Sequence, residues 1–329
     1  MDTLWNTGIA FIIWFQGLGS WLVTPMKLFT LLGSEEFFLV ALPVIYWCVD
    51  ASAGLRIASI VLVTGSINEI LKLSMHGPRP YWFSTKVKAF SSETTFGVPS
   101  GHAQIATGLW GMAAAQIKRP WAWITAIFII FMIGVSRLYL GVHFPHDVLL
   151  GWAIGALVLW AFLRGWDGVA AWAKRKSLGQ QVGLAFALSM VLIIFGMIGF
   201  GTLRGWVIPA EWLSNSQQAG VVDMPAPASL NNTITSTAVL FGMLAGLAWM
   251  NSQGGFDARG KVWQRAARLL PGMLGVLIFY LGLRVIFPSG NAFIPYFFRY
   301  IRFALVGVWI SAGAPWVFQK MNLASKTNK

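Results

Sequence analysis

Continuous apolar runs recur along the whole chain, and they constrain its fold more than any other feature. Examples are "AIFIIFMIGV" at 126–135 and "ALSMVLIIFGMIGF" at 187–200. Runs of about 20 apolar residues suit helices that cross a bilayer, whereas the strands of a membrane barrel alternate in polarity. Only 11% of the 329 residues are charged, against roughly 25% in an ordinary soluble domain. The chain is therefore predicted to be all-α, a polytopic transmembrane helix bundle.

About nine spans are predicted from these runs. They lie at 35–50, 53–75, 100–117, 120–141, 144–164, 180–200, 233–250, 268–287 and 299–318. The preceding stretch, 5–33, contains Gly17, Gly19 and Pro25, which favours an interfacial or re-entrant segment, with a tenth span as the alternative. Because no lysine or arginine precedes Lys27, a cleaved signal peptide is not expected.

The net charge of +13 is spread over the loops and does not form one basic face, so nucleic acid is not an expected partner. Once the candidate site residues and the in-span Arg284 and Arg302 are set aside, fourteen cations fall in one set of loops and five in the other. By the positive-inside rule the richer set is cytoplasmic, which places the N-terminus outside and the C-terminus inside. These features predict a multi-pass protein of a bacterial inner membrane or an endoplasmic-reticulum-like membrane. The oligomeric state stays open.

Three polar clusters interrupt the apolar runs: "KLSMHGPRP" at 72–80, "VPSGH" at 98–102 and "SRLYLGVHFPHD" at 136–147. The predicted topology places all three at the outer ends of spans. In the second cluster a helix start is predicted, so that the amides of Ser100 and Gly101 point outward without partners. Charged groups at membrane depth are costly, and the clusters therefore indicate a functional site.

The cations and amides of these clusters match the needs of a phosphate group. A guanidinium clamps phosphate oxygens at two points, an ammonium adds a point charge, and a helix N-terminus offers free N–H groups. The predicted phosphate-binding residues are Lys72, Arg79, Ser100, Gly101 and Arg137. Glu69, three residues before Lys72, is expected to brace it as a supporting residue.

Two histidines and an aspartate supply candidate chemistry beside this cradle. His143 and Asp147 are spaced i, i+4, so the carboxylate is expected to hold one imidazole nitrogen and leave the other as a nucleophile. His102 is expected to act as general acid to the leaving group, giving a bell-shaped pH profile. No metal or other cofactor is expected, because the neighbouring cations repel a divalent ion.

Taken together, the clusters resemble the three-part signature of the type 2 phosphatidic acid phosphatase superfamily. The matching positions are Lys72, Arg79, Pro80, 99–102, Ser136, Arg137, His143 and Asp147. The resemblance covers residues 35–165 and implies a membrane phosphatase in which His143 is phosphorylated, Asp147 supports it and His102 protonates the leaving oxygen. The layout of spans is similar to the glucose-6-phosphatase and sphingosine-1-phosphate phosphatase branches.

The expected substrate is a lipid phosphate or lipid diphosphate that enters from the periplasmic or lumenal side, because Asp147 is typical of the lipid branches of this family. A soluble sugar phosphate such as glucose-6-phosphate is the alternative with the same chemistry. A lipid transporter or scramblase is the alternative from another class, because the spans after residue 180 show no evident chemistry.

The predicted domains follow chain order. They are an interfacial or re-entrant segment at 1–34, a catalytic helix bundle at 35–165 and a transmembrane extension at 166–329. Two stretches, 164–181 and 201–232, are predicted to be loops. Arg284 and Arg302 either bind lipid headgroups or only extend to the membrane interface. No required role is predicted for His76 or His146.

Overall fold

The structure is a computed structural model that describes residues 2–327. Within these residues the regular structure is helical, apart from one antiparallel bridge between Asp257 and Ser325. Among the described residues, seven helical stretches, some of them made of consecutive helices, are long and apolar enough to cross a membrane. The prediction of an all-α, multi-pass membrane protein is confirmed, with a span count close to the nine that were expected.

Fifteen α-helices make up the described chain. They are α1 (Asp2–Gln16), α2 (Val23–Leu31), α3 (Glu35–Val44), α4 (Ala51–Met75), α5 (Pro80–Phe83), α6 (Gly101–Ile117), α7 (Pro120–Tyr139), α8 (Pro145–Lys174), α9 (Leu178–Gly201), α10 (Ala210–Gln218), α11 (Asn231–Ser252), α12 (Val262–Leu277), α13 (Leu283–Ile286), α14 (Phe293–Val308) and α15 (Ala314–Lys320). Three π-helical turns, at Ile45–Val49, Ile278–Gly282 and Trp309–Gly313, continue or join these helices.

Both stretches predicted to be loops contain helix. The stretch 164–181 is mostly helix, because α8 continues without a break to Lys174, and 201–232 contains the short helix α10. The predicted spans at 35–50 and 100–117 are helical over almost their whole length, as α3 with the π-helical turn Ile45–Val49 and as α6, but neither is among the seven stretches long and apolar enough to cross a membrane. Apolar composition locates a helix, whereas its ends depend on capping and tertiary contacts that composition does not encode.

The N-terminal stretch forms a bent pair of helices. α1 and the helical segment Ser20–Leu31 meet at 93°, the geometry of a broken span or a re-entrant loop. The bend falls at Gly19, whose φ of 118° lies in the region that glycine adopts readily. The Tyr139 hydroxyl donates to the Gly19 carbonyl at 2.6 Å, which fixes the bend beside the end of α7.

The chain divides into two compact units. The first comprises Met1–Phe38, Ile67–Trp160 and Gly196–Ser229, and the second comprises Leu39–Ser66, Ala161–Phe195 and Leu230–Lys329. This grouping cuts across the predicted division of the chain at 165, because α3, α4, α8 and α9 each contribute residues to both units.

The core of the second unit depends on close helix packing. α11 and α14 approach so closely at Gly242 and Gly307 that a Cβ atom at either position would overlap the backbone of the other helix. Small residues at such crossings allow the backbone contact that stabilises helices in lipid. A separate buried cluster surrounds Trp47 and Phe318, whose rings meet edge to face with centroids 5.6 Å apart.

Candidate active site

All three polar clusters lie in the first unit. They occupy the end of α4, the start of α6 and the link between α7 and α8. α4 ends at Met75 because His76 adopts a left-handed φ of 54° and Gly77 and Pro78 follow it. The residues between α5 and α6, 84–100, form a loop that contacts cations of the first and third clusters and is called the site loop below.

His143 and Asp147 form a buried pair. His143 lies just before α8, and its Nδ1 is 3.3 Å from Asp147 Oδ2. The same carboxylate oxygen accepts the Phe144 N–H at 2.9 Å, which fixes its orientation. An Nδ1–H donated to Asp147 leaves a lone pair on Nε2, the form that a nucleophilic imidazole needs.

Arg79 contacts the other nitrogen of this imidazole. Its Nη1 is 3.3 Å from His143 Nε2 and 3.0 Å from the Val142 carbonyl. Further bonds go to the Thr95 and Phe96 carbonyls at 2.7 and 3.1 Å. Arg79 is completely buried. Its guanidinium is therefore held in one orientation, with a charged edge beside the candidate nucleophile.

Arg137 has exchangeable side-chain partners. Nη1 donates to the Thr30 hydroxyl at 2.6 Å, and Nη2 donates to the Glu93 carboxylate. The buried Nε has no hydrogen-bond partner among the described residues. Glu93 also lies 4.0 Å from Arg79 Nη2. A carboxylate of the protein itself thus stands between two of the cations predicted to bind phosphate.

Lys72 completes the cation group. Its Nζ is 3.4 Å from Glu69 Oε1, the contact expected from their spacing, and 2.9 Å from the Thr95 hydroxyl. Thr95 Oγ1 also accepts from Arg79 Nη2 at 3.1 Å. The threonine therefore connects the lysine on α4 to the arginine that follows it.

The start of α6 differs in one respect from the prediction. The Ser100 N–H is not free, because it donates to the backbone carbonyl of Asp147 at 3.0 Å, and the Ser100 hydroxyl caps the Ala103 N–H. The first amides of the helix proper, at Gly101 and His102, are those that an α-helix leaves without intrahelical acceptors. Gly101 is also required by space, since a Cβ there would lie 2.9 Å from Asn68 Oδ1.

His102 lies in the same electrostatic environment as the cations. Its imidazole interacts with the charges of Arg137, Glu93 and His143. It is half-buried on the first turn of α6. This position brings a second imidazole to the cation group from a helix other than the one that follows His143.

Not every predicted residue points into the site. Ser136 is buried, and its hydroxyl donates to the Ile133 carbonyl at 2.6 Å within α7. Pro80 begins α5 immediately after Arg79 and supports the backbone there. His146 Nε2 lies 3.1 Å from Asp147 Oδ1 without forming a hydrogen bond. His76 Nε2 lies 2.9 Å from the Thr202 hydroxyl, away from the cations.

The pKa values of Glu93 in the site loop and of His143 are both shifted, and these shifts set the charges of the site. Burial would raise the pKa of Glu93, but Arg79 and Arg137, helped by His102 and Lys72, hold it well below its usual range. Burial, together with the charges of Arg79 and Arg137, lowers the pKa of His143 to about 3 despite the opposing effect of Asp147. Glu93 is therefore anionic and His143 neutral near pH 7.

A stretch of chain that is distant in sequence contacts the site loop. Asp223 accepts from the Ser92 hydroxyl at 2.8 Å, and the Ala226 N–H donates to the Thr94 carbonyl at 2.9 Å. The Trp206 ring packs edge to face on Phe96 at 5.4 Å. These contacts flank Glu93 on both sides, so the segment 202–229 helps to set its position.

Sequence reasoning missed three contributors, Thr30, Glu93 and Thr95. The acid of "SSETTF" was the one signal that could have drawn attention to the site loop. Within residues 2–327, no three histidine, cysteine or acidic side chains converge in a way that could hold a metal ion.

Comparison with known proteins identifies the family. A PAP2 superfamily model matches residues 53–169, and a model described as "PAP2 superfamily phosphatase, transmembrane extension" matches residues 234–326. The chain belongs to the PAP2 superfamily. The resemblance inferred from the three polar clusters is thereby confirmed.

Known relatives of this PAP2 chain have different substrates in their names. "Glucose-6-phosphatase 3" of Homo sapiens is 29% identical over 233 residues, which are 63% of this chain and 66% of that protein. "Undecaprenyl-diphosphatase" of Sulfolobus acidocaldarius is 31% identical over 107 residues, which are 32% of this chain and 51% of that protein. The chain thus spans just under two thirds of the first relative and about half of the second.

A solved structure is similar to part of this PAP2 chain. The "first transmembrane PAP2 type phosphatidylglycerolphosphate phosphatase from Bacillus subtilis" is 26% identical, with a TM-score of 0.44, and the match covers 51% of this chain and 88% of that one. In the present chain, the Thr30 and Asp223 contacts lie outside the matched PAP2 region 53–169, whereas Glu93 lies within it.

Proposed function

We propose that this protein is an integral membrane phosphatase that hydrolyses a lipid phosphate or lipid diphosphate through a phosphohistidine intermediate. The observation that carries the proposal is the His143 imidazole, held by Asp147 on one nitrogen and faced by Arg79 on the other. The remaining cations, Lys72 and Arg137, stand in the same group. Membership of the PAP2 superfamily supports the same class of reaction.

The first chemical step follows from this arrangement. His143 Nε2 attacks the phosphorus atom, and the bond from phosphorus to the leaving oxygen breaks. A protonated His102 gives its proton to that oxygen, so that an alcohol leaves, or a phosphate when the substrate is a diphosphate. The three cations and the first amides of α6 stabilise the charge that develops on the phosphoryl oxygens.

The second step regenerates the enzyme. Neutral His102 accepts a proton from water as the water oxygen attacks phosphorus, and the N–P bond to His143 breaks. Inorganic phosphate leaves, with His102 protonated again and the His143 lone pair restored. Asp147 stabilises the imidazolium form of His143 each time it arises, without taking its proton.

The choice of a lipid substrate rests on two observations. The chain is a multi-pass membrane protein, in which a site at the ends of spans is accessible to a headgroup in the adjoining leaflet. A relative at 31% identity is named for a lipid diphosphate. We further propose that the site faces away from the cytoplasm, since the loops on its side carry the smaller share of lysine and arginine.

A second candidate is a soluble sugar phosphate. It is favoured by the glucose-6-phosphatases among the relatives, whose match covers 63% of this chain. The catalytic residues would be the same in either case. Only the contacts to the leaving group would differ.

The test is a phosphate-release screen on the full chain in detergent. Phosphatidic acid, a prenyl diphosphate, sphingosine-1-phosphate and glucose-6-phosphate are compared, with His143→Ala as the blank and His76→Ala as the matched histidine control. We expect release from a lipid phosphate by the unaltered protein and the control, and a loss of at least about 1,000-fold in the blank. Faster turnover of glucose-6-phosphate would favour the second candidate.

A chemical readout tests the intermediate separately. Quenching the reaction with ³²P-labelled substrate should trap label that is stable to alkali and lost in acid, as expected of a phosphohistidine, and His143→Ala should carry none. Undiminished turnover or labelling in that variant would overturn the proposal. Phospholipid flux in liposomes that persists in His143→Ala, with no phosphate release in any sample, would instead support the transporter alternative.

A further inference from the structure

Three arginines form a second basic cluster, which lies in the second unit. They are Arg284 on α13 and Arg299 and Arg302 on α14. The charge of Arg299 interacts with those of Arg302 and Arg284, and Arg302 also interacts with Arg284. Their mutual repulsion disfavours the cluster unless an anion neutralises it.

The second unit supplies no such anion from its described residues. The second unit contains three acidic residues, Asp50, Asp167 and Asp257. Asp167 pairs with Arg56, Asp257 pairs with Arg259, and Asp50 caps the Ala53 N–H. Each carboxylate is therefore engaged elsewhere, and no ion pair joins any of them to the cluster.

The hydrogen-bonding capacity of the cluster is also largely unused. Arg299 Nη1 donates to the Thr235 hydroxyl at 3.0 Å. The Nε of Arg302 is buried without a partner, although its guanidinium lies over the Phe303 ring at 4.7 Å. A half-buried guanidinium with an unmet donor favours an acceptor-rich ligand, and a phosphate is such a ligand.

Exposed apolar residues on the same helices indicate that this phosphate belongs to a lipid. Val285 and Ile286 on α13 and Phe293 on α14 share these helices with the arginines and are 88%, 75% and 82% exposed. They belong to a helical pair with the composition of membrane spans. Apolar side chains this exposed need acyl chains beside them, and an anionic lipid presents its phosphate and its acyl chains together.

We propose that Arg284, Arg299 and Arg302 form a binding site for the headgroup phosphate of an anionic membrane phospholipid. The site belongs to the second unit, whereas the candidate active site belongs to the first, and it does not depend on the proposed reaction. Each basic residue near a lipid surface strengthens binding about fivefold, so the three together account for about a hundredfold.

The experiment measures lipid retention by the full chain in detergent. Phosphatidylglycerol and phosphatidylcholine are titrated separately, and bound lipid is counted by native mass spectrometry. We expect phosphatidylglycerol to bind more tightly than phosphatidylcholine. R284Q/R299Q/R302Q should lose the preference. The double variant R284Q/R302Q, which removes no side-chain hydrogen bond to another described residue, should weaken phosphatidylglycerol binding by about 25-fold.

The matched control is R119Q/R175Q/R204Q, which removes the same net charge from exposed positions outside the cluster. It should retain the preference, and all variants should keep the melting temperature of the unaltered protein in lipid-free detergent. Phosphatidylglycerol binding that is unchanged in R284Q/R302Q would overturn the proposal. Binding of inorganic phosphate alone with the affinity of the lipid would show a soluble-anion site and would overturn the lipid assignment.

Discussion

Arg137 in the first unit and Arg268 in the second are both buried, yet they donate hydrogen bonds to different kinds of partner. Arg268 donates to the backbone carbonyls of Trp47, Ala258, Arg259 and Leu323. Arg137 donates to two side chains, Thr30 and Glu93, and retains an unmet Nε donor.

The difference separates a structural cation from one able to bind a ligand. Carbonyl oxygens that belong to several segments cannot leave without unfolding those segments, so Arg268 ties the 257–259 and 322–324 stretches to the helices. A carboxylate or hydroxyl on a side chain can change rotamer and give its place to a phosphate oxygen. Burial alone therefore does not reveal the role of an arginine, whereas the chemistry of its partners does.

The largest expected effect is on Arg137. Arg137→Ala should lower kcat/KM for phosphate release about 1,000-fold, because a preorganised charge is lost where charge develops in the transition state. Arg137→Lys should recover only part of the loss, since an ammonium lacks the planar fork. Steady-state kinetics measure this effect. Activity of Arg137→Ala within tenfold of the unaltered protein would contradict the assignment of Arg137 as a phosphate-binding cation.

Arg268→Met should act on stability instead. Leaving several buried carbonyls without donors should cost about 3–5 kcal/mol, and thermal unfolding in detergent should show the melting temperature falling by about 10 °C. The neighbouring Arg265→Met removes one bond to the Cys48 carbonyl and should cost about 1 kcal/mol. Activity per folded molecule should be unchanged in both, and a selective loss in Arg268→Met would contradict a purely structural role.

The pH dependence should distinguish the site from the rest of the protein. Because the pKa of His143 is lowered to about 3, its neutral form persists in the folded protein far below the ordinary histidine value of about 6.5. The acid limb of kcat/KM assigned to His143 should therefore lie below pH 5. A limb near 6.5 that shifts in Asp147→Asn would show that burial does not depress this pKa.

The lowered pKa of His143 also makes the stability of the folded protein depend on pH. Between about pH 6.5 and 3 the unfolded chain binds a proton at His143 that the folded protein does not. Stability should consequently fall as the pH drops through this window, and His143→Phe should flatten that part of the profile. Melting temperatures recorded from pH 7 to pH 4 measure the difference.

Glu93 provides a smaller and more selective test. Glu93→Gln removes the negative charge beside Arg137 and Arg79 while keeping the side-chain shape. Inorganic phosphate should then inhibit about tenfold more strongly, because a competing internal anion has gone. The exposed Glu211→Gln is the control and should leave the inhibition constant unchanged. Weaker inhibition in Glu93→Gln would mean that Glu93 orients Arg137 for phosphate rather than competing with it.

The smallest effect is expected at the support of the site loop. Asp223→Ala removes the acceptor for Ser92 and should raise KM about threefold with kcat unchanged, since an exposed hydrogen bond contributes little. Asp223→Asn keeps an acceptor and should restore the KM of the unaltered protein. A fall in kcat, without rescue by asparagine, would indicate a general loss of structure.

Contacts between residues close in the chain were accessible from the sequence. The pairing of His143 with Asp147 and that of Lys72 with Glu69 follow from spacings of four and three residues. The four-residue pair forms although His143 precedes the first residue of α8. The roles of these residues in catalysis stay predictions, because geometry alone does not measure a reaction.

Contacts between distant residues depended on the tertiary structure. Thr30 and Arg137 are 107 positions apart, Ser92 and Asp223 are 131 apart, and Trp47 and Arg268 are 221 apart. No periodicity or spacing relates such positions. The Ser100 amide illustrates the same limit. The rules for helix ends predict no hydrogen-bond acceptor for it, but it donates to the Asp147 carbonyl of α8.

The sequence by itself determined the medium, the helical class and the chemical groups available, because apolar run length and side-chain type require no knowledge of neighbours. Only the tertiary structure decided that Arg268 donates to backbone carbonyls and that Arg137 donates to side chains able to change rotamer. It also decided that the cluster of Arg284, Arg299 and Arg302 has no acidic partner in its unit. The physical reason is that the energy of a buried charge depends on what surrounds it in space, and those surroundings come from segments that the chain order separates.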